Sequence, residues 1–544
     1  MATILEDKDR NIIPRWRDYR TTVALGELDP VGSKSEPSEN KRDYLKSKLI
    51  DWEQNRTLSY ASDLMGAALV LGRGTDATEA ATYLLSQSSG ASKFLKGHAE
   101  KYLSHKSATD SDIPELKHGT TQQVVDESRR RIRELRSRLK IEPRNVITLV
   151  DLSREYTILG LDLKSVRAME IALKLNPDNR FILRSAAHLY NHQGDPQYAH
   201  RLLRRSGFTR HDPWLLAAEI ATATTSGRPP SFVNAGRRLL QDQSISPSHL
   251  TELASAIATL EFINGKTQVA RKLFRAALDK PTDNSLAQAE WASRHMTQLA
   301  VDANKFHVPR IFEARAWELY TNGEWSAAMN QSSKWLRDQP FAIEPVLFSS
   351  YLAAAIFEDH ERSVRILRFG LMSHRANPTL LNNLAYSLAV TGQVREARDV
   401  YELINHQDLN DTWKITVTAT GGLLSYKEGA CDEGRALYLR AIELARSKSL
   451  PALSVRAATY LAREEILCDS PHALAAVELV LNELSGNRGS GLKDMYQAKE
   501  ALDSAVKKFR GPDNRILMAL VEKLSELIGK QLNTPNRKFT FRET

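Results

Sequence analysis

Few residues in this chain are spaced for chemistry. His188 and His192 stand four apart in a stretch expected to be helical, which would set two imidazoles on one face for a metal. No Glu follows His188 in the HExxH manner and no third ligand suggests itself, so solvated or hydrogen-bonded histidines are the ordinary reading. Gly72-Arg73-Gly74 and the Gly-containing run 485–491 lack the spacing of a phosphate-cradling loop and its Gly-Lys-Ser/Thr ending, which Lys493 does not supply. No GxSxG occurs. The two cysteines, Cys431 and Cys468, have neither CxxC nor metal-ligand spacing. No catalytic residue, cofactor or metal is expected from these patterns. An enzyme enters only as a third choice, through the N-terminal residues.

Charge is the next signal. The chain carries 75 Lys and Arg against 66 Asp and Glu, a net charge of +9. Between Asp126 and Arg210 there are 18 Lys and Arg against 10 Asp and Glu, so nearly all the excess lies there. Arg129, Arg130, Arg133 and Arg136 crowd one expected helix; Arg201, Arg204 and Arg205 crowd another. A basic stripe can hold an acidic protein face or a phosphate backbone. Most charge runs are solvated faces. An acidic protein partner comes next, and nucleic acid after it, because the local aromatics such as Tyr156 and Tyr190 fall at core positions.

The elements that must carry these residues repeat every 34 residues. Leu149, Leu152, Ser153, Tyr156 and Gly160, then Ser165, Met169, Ala172 and Pro177, overlay on Leu183, Ala186, Ala187, Tyr190, Gly194, Ala199, Leu203 and Ser206. Two apolar-periodic helices around a glycine turn describe a helical solenoid, whose units bury their apolar faces only by stacking. Phe312, Ala316, Leu319, Gly323, Ala328, Trp335 and Pro340 follow the same template, as do Leu381, Leu384, Ala385, Leu388, Gly392, Ala397 and Tyr401. A further match begins at Ala254, a looser one runs over Gly422–Ala441, and segments near 214–247, 343–377 and 452–484 read as degenerate units. Glycines 160, 194, 265, 323, 392 and 429 are expected at positive φ. Over residues 120–485 the pattern resembles the tetratricopeptide repeat (TPR) family, which implies an all-α, right-handed superhelix.

The ends depart from the repeat. Residues 1–40 read as an arm or linker, yet residues 12–19, Ile-Ile-Pro-Arg-Trp-Arg-Asp-Tyr, are apolar and aromatic for a solvated tail. Such a segment either packs back on the domain or docks on a partner, with packing the first expectation. Residues 41–115 are expected to form three or four helices, followed by a linker at 107–121. Residues 486–544 are expected to hold two helices broken at Gly511-Pro512 that cap the solenoid, then a tail. With 26% charged residues, 42% hydrophobic residues and a mean hydropathy of −0.40, a large core without a membrane span is expected. The start MATILEDKDR lacks a secretory layout, and the two isolated cysteines fit a reducing cytoplasm.

The resemblance also implies where a ligand would lie. In TPR proteins the first helix of each pair lines a concave groove. The corresponding positions here hold Val150, Arg154 and Thr157; then Arg184, His188 and Asn191; then Glu313, Trp317 and Tyr320; and finally Asn382 and Tyr386. Asparagines there resemble those that grip a peptide backbone, since a carboxamide both donates and accepts. The lysine-and-asparagine set that clamps a terminal carboxylate is not assembled in consecutive repeats. The expected function is a scaffold or regulatory subunit that docks protein or peptide partners, one of which could present an acidic face. Self-association is open, and a nucleic-acid-associated regulator is the alternative.

Overall fold

The first turn of each unit is set by a short polar side chain just ahead of it. In the computed structural model Asn145, Asn179, Asp212, Asn377 and Asn410 each precede a helix and accept hydrogen bonds from backbone N–H groups of its first turn. Such caps satisfy donors that the helix leaves orphaned, and each contributes about 1 kcal/mol. The residues described are 13–31, 39–70, 77–87, 120–486 except 297, 492–508 and 514–532, with short pieces between 91 and 103. The linker at 107–119, Gly72-Arg73-Gly74, most of the run 485–491 and the Gly511-Pro512 break lie outside them.

An entry helix, Thr120–Ile141, leads into stacked antiparallel pairs. These are Val146–Ile158 with Asp162–Leu175, Arg180–His192 with Pro196–Arg205, Pro213–Thr225 with Val233–Gln241, and Pro247–Ile263 with Thr267–Ala277. After an irregular unit come Phe312–Thr321 with Trp325–Asp338, Ile343–Tyr351 with His360–Ser373, and Pro378–Val390 with Val394–Glu402. The last pairs are Asp411–Lys427 with Cys431–Ser447 and Pro451–Leu467 with Ala473–Gly486. Helices Leu492–Lys508 and Asn514–Leu532 pack onto that end, burying Leu502, Val506, Leu517 and Val521. The segments read as degenerate units are therefore helix pairs. Residues 39–103 carry a separate apolar cluster around Leu45, Trp52, Leu64 and Leu84.

The irregular unit was not visible in the repeat pattern. Helix Asp283–His295 is followed by no antiparallel second helix among the described residues; those between it and Phe312 form a loop with one short 3-10 turn at Ala303–His307. The loop does a second helix's packing by burying Met296, Leu299, Phe306 and Ile311 against Phe274, Leu278 and Trp291.

All six turn glycines have left-handed backbone, with φ between 64 and 86°. At Gly194 the next residue's N–H reaches back to Tyr190 O (2.9 Å), closing the helix end, and there is open space beside the α-carbon. Gly160 differs, because the array curls back on itself there. A Cβ at Gly160 would collide with the backbone carbonyl of Met372. Arg375 donates to Gly160 O at 3.1 Å, and the rings of His192 and His374 stand 4.7 Å apart along the same seam. Helix His360–Ser373 thus touches both the entry helix and Val146–Ile158.

A left-handed alanine costs about 1–3 kcal/mol wherever it is placed. Gly160→Ala adds a backbone collision to that strain, whereas Gly392→Ala faces open space. Thermal unfolding should therefore show a much larger drop for Gly160→Ala than for Gly392→Ala, and equal drops would argue against the seam.

Candidate partner-binding channel

The inner helices are buried on nearly every face, which an open groove would not allow. Val150 and Thr157 are wholly buried, and none of the eleven side chains assigned to the groove is exposed. At Arg154, Arg184 and His188 the reason lies in residues 13–18, which run through the channel without regular secondary structure into the short helix Tyr19–Ala24, leaving a cavity of about 1130 Å³ open beside Arg17 and Asp18. Ile13, Trp16 and Arg17 are buried there.

The channel holds this arm by side chains on the arm's backbone. Arg154 Nε donates to Trp16 O at 3.2 Å, and His188 Nδ1–H donates to Pro14 O at 2.9 Å. Tyr19 N–H donates to Asp151 at 3.0 Å. Arg180 donates to the carbonyls of Glu27 (3.1 Å) and Asp29 (2.9 Å). Trp16 packs edge-on against Phe341 with ring centroids 5.4 Å apart, and Tyr19 against Phe181 at 5.3 Å.

The charges of the arm are answered by the walls. Arg17 reaches Asp283 at 2.6 Å and Asp338 at 2.8 Å, while Arg15 pairs with Asp283 (3.2 Å) and Glu313. In the other direction Asp18 takes Arg131 (3.1 Å), and Glu27 takes Arg184 (2.9 Å), which also holds Glu252 at 3.0 Å. Although burial works against its charge, the neighbouring Arg17 and Arg310 hold the Asp338 carboxyl well below the usual carboxylate range. Asp151 differs. Burial pushes it up to about 6, because one backbone donor does not offset its desolvation and the nearby Asp18.

The sequence-assigned residues now have definite places. Arg154, Arg184 and His188 grip the arm or its charges, as above. Asn191 donates to Ala187 O (2.7 Å) and Thr222 Oγ1 (3.3 Å), so its amide bridges its own helix and the next unit. Trp317 and Tyr320 are not open to a groove. They are buried against Phe348, with ring centroids at 4.7 and 5.6 Å, and Arg294 stacks on Trp317. Asn382 is fully buried and donates to Asn383 Oδ1 at 3.3 Å; Tyr386 OH accepts from Arg463 at 3.1 Å. The template set their register but could not show what packs against them. It also missed Asp283, Asp338 and Phe341, none of which lies at a groove position of the repeat. The aromatic stretch at 12–19 was their only trace.

His188 and His192 do not converge on a metal. His188 is committed to the arm, and His192 packs edge-on against Phe341 and His374. Burial drives the imidazole pKa of His188 down to about 4 and lowers His192 and His374 as well. Among the described residues no group of three or more His, Cys, Asp or Glu could hold a metal ion. The free thiols of Cys431 and Cys468 are neighbours; burial first, then Cys431, pushes Cys468 up to about 11. Among the described residues no helix is long and apolar enough to cross a membrane.

The basic run lies outside the channel. Arg129, Arg130, Arg133, Arg136, Arg201, Arg204 and Arg205 are all exposed. Arg129 is 3.5 Å from Asp126, and Arg130 is 4.0 Å from both Glu127 and Glu134, so local acids answer part of the charge.

No family model matches the chain, and no curated protein does. The fold is a TPR-like superhelix. Three solved structures share its helix stacking only loosely. Yeast Tom70 aligns over 77% of this chain and 100% of its own at 13% identity and a TM-score of 0.29. The APC/C hetero-tetramer Cut9-Hcn1 aligns over 86% and 93% at 12% identity and 0.35. The P58(IPK) TPR domain aligns over 72% and 100% at 13% identity and 0.21. Values of this size add nothing to the helix pairs, their 34-residue recurrence and their left-handed turns, in which the TPR-like character is seen directly.

Removing one member of a buried ion pair strands the others, at about 3–5 kcal/mol. Arg17→Leu, which leaves Asp283 with Arg15 alone and Asp338 with Arg310 alone, should cost up to about that much in denaturant unfolding. Trp317→Ala should also cost about 3–5 kcal/mol, as for any buried Trp, with a large fall in melting temperature. A near-normal melt would return Trp317 to the groove surface.

Acid should loosen the channel at His188. Its folded-state pKa is depressed, so the stability it contributes is full above its ordinary 6.5 and is lost as pH falls from there toward about 4. Asp151, raised to about 6, works in the opposite sense. The comparison that isolates the histidine is His188→Gln, which keeps a donor for Pro14 O. Between pH 7.5 and 5.0 the wild type should lose more unfolding free energy than this variant. A parallel loss in the two would remove His188 from the account.

Proposed function

We propose that this chain is a non-enzymatic scaffold or regulatory subunit that binds protein or peptide partners through its TPR-like superhelix. One observation carries the reading: the superhelix already holds a non-helical segment, its own residues 13–18, by side-chain bonds to backbone and by matched charges. A surface built this way recognises main chain and charge order rather than a reactive group, which suits docking and not turnover. Because the arm occupies much of the early concave face, a partner meets the exposed basic entry helix and the later repeats. A reducing, cytoplasmic setting fits two unbridged cysteines.

A nucleic-acid-associated role is the second reading. It is favoured by Phe208, 60% exposed and flanked by Arg204, Arg205 and Arg210, since an open aromatic ring among arginines can stack on a base. Salt separates the two, because phosphate neutralisation makes affinity fall steeply with ionic strength.

Reversing Arg129, Arg130 and Arg133 to Glu should reduce capture of the co-purifying protein partner at least tenfold. The far-UV helical signal should stay intact, and nuclease treatment should not release the partner. Undiminished capture would make the stripe a solvated face. Tight binding of short RNA or DNA at physiological salt would put the second reading first.

A further inference from the structure

The chain has two cysteines among its 544 residues, and the fold brings them together. Cys431 opens the outer helix Cys431–Ser447, and Cys468 stands just past the end of the next unit's inner helix, Pro451–Leu467. They lie in successive units, yet the Cys468 thiol donates a hydrogen bond to the Cys431 sulfur. Cys431 is half-buried and Cys468 is exposed, so the pair is within reach of a small solute.

Contacts on either side hold the two sulfurs in register. One turn on from Cys431, Arg435 donates to the Glu465 carboxylate, which Tyr426 OH also reaches at 2.5 Å. Lys427, at the end of the helix before Cys431, pairs with Glu464 at 2.8 Å, and Glu464 lies one turn before Cys468. Both glutamates are wholly buried, so these bonds are shielded from water and fix the turn of one unit against the helix end of the next. They flank the thiols without using them. A bond between the sulfurs would therefore leave the bracket around them in place.

We propose that Cys431 and Cys468 form a reversible disulfide that staples the last two helix pairs of the array, with a small-molecule disulfide such as oxidised glutathione as the oxidant. Burial, then the neighbouring Cys431, holds the proton on Cys468 up to about 11, so at neutral pH the attacking thiolate is that of Cys431. Its sulfur bonds to one sulfur of the oxidant, whose own S–S bond breaks and releases one thiolate. Cys468 then gives its proton to water and its sulfur attacks that of Cys431, forming the protein disulfide and expelling the second thiolate. The two protons lost by the protein end on the two released thiols. The protein loses two electrons and the oxidant gains them. Reduced glutathione reverses the exchange, which agrees with free thiols in a reducing setting. The staple acts mainly by restricting the unfolded chain between the two units, and it does not depend on what the repeats bind.

Equilibrating the full-length protein with oxidised and reduced glutathione in varied ratio tests this directly. Intact-mass analysis after alkylation should show both thiols lost together, with the monomer lighter by two hydrogens. Peptide mapping should find a single Cys431–Cys468 cross-link, and dithiothreitol should restore both thiols. The melting temperature of the oxidised wild type should rise by roughly 2–4 °C. That shift should be absent in Cys468→Ser, an exposed position whose reduced form should melt as the reduced wild type does. Separate glutathione adducts on the two cysteines, disulfide-linked dimers, or thiols that stay free in fully oxidised glutathione would overturn the proposal. So would an unshifted or lowered melt of the cross-linked protein, or an equal rise in Cys468→Ser.

Discussion

Arg17 is the residue on which most of this architecture turns. Its guanidinium is buried between Asp283, which opens one inner helix, and Asp338, which closes an outer one. Between those two helices the regular second helix of a pair is missing and a loop takes its place. Helix Asp283–His295 still packs directly on Phe312–Thr321, and the arm's cation adds a second tie between the units. Burying three charges is costly, and such a cluster persists only when every member is answered. Arg310, itself in a left-handed backbone, supplies a further cation to Asp338 at 2.6 Å.

This arrangement changes what a TPR-like fold means here. A superhelix with an empty concave face offers that face to ligands. In this chain the arm joins the core of the early repeats, with Trp16 buried in the same apolar cluster as Phe181 and Phe341. The seam at Gly160, Met372 and Arg375 closes the curl around the arm. What remains open is the row of outer arginines and the later repeats with their π-helical turn. The two are independent surfaces, so one partner could engage both or two partners could bind together.

Much of the fold could be read from the sequence because the information is local and repeated. The Gly turns, the small residues at Ala187, Ala316 and Ala385, and the apolar stripes each report on contacts within 34 residues. The degenerate units kept their helices after losing the consensus, since burial needs only apolar residues at helical spacing. The irregular unit escaped because a loop that packs through Met296, Leu299, Phe306 and Ile311 has no period. The site was half legible for a similar reason. Arg154, Arg184 and His188 were found from their register, but Asp283 and Asp338 act only through a segment some 270 to 320 residues away in sequence. Trp317 and Tyr320 sat on the right helix, and only the neighbouring Phe348 showed that they face protein rather than solvent. Residues 12–19 stood out as too apolar for a tail; where they went required the fold.

The central claim is that residues 13–19 are a built-in occupant of the channel. Hydrogen–deuterium exchange on the intact protein tests it most directly, read on peptides covering the arm and the helix Arg180–His192. If the claim holds, the Tyr19 amide, bonded to Asp151, and the buried amides before it exchange as slowly as that helix and speed up with it when Arg17 is replaced. Exchange of the arm within seconds under conditions where the helix stays protected would contradict it, and would return the whole concave face to partners.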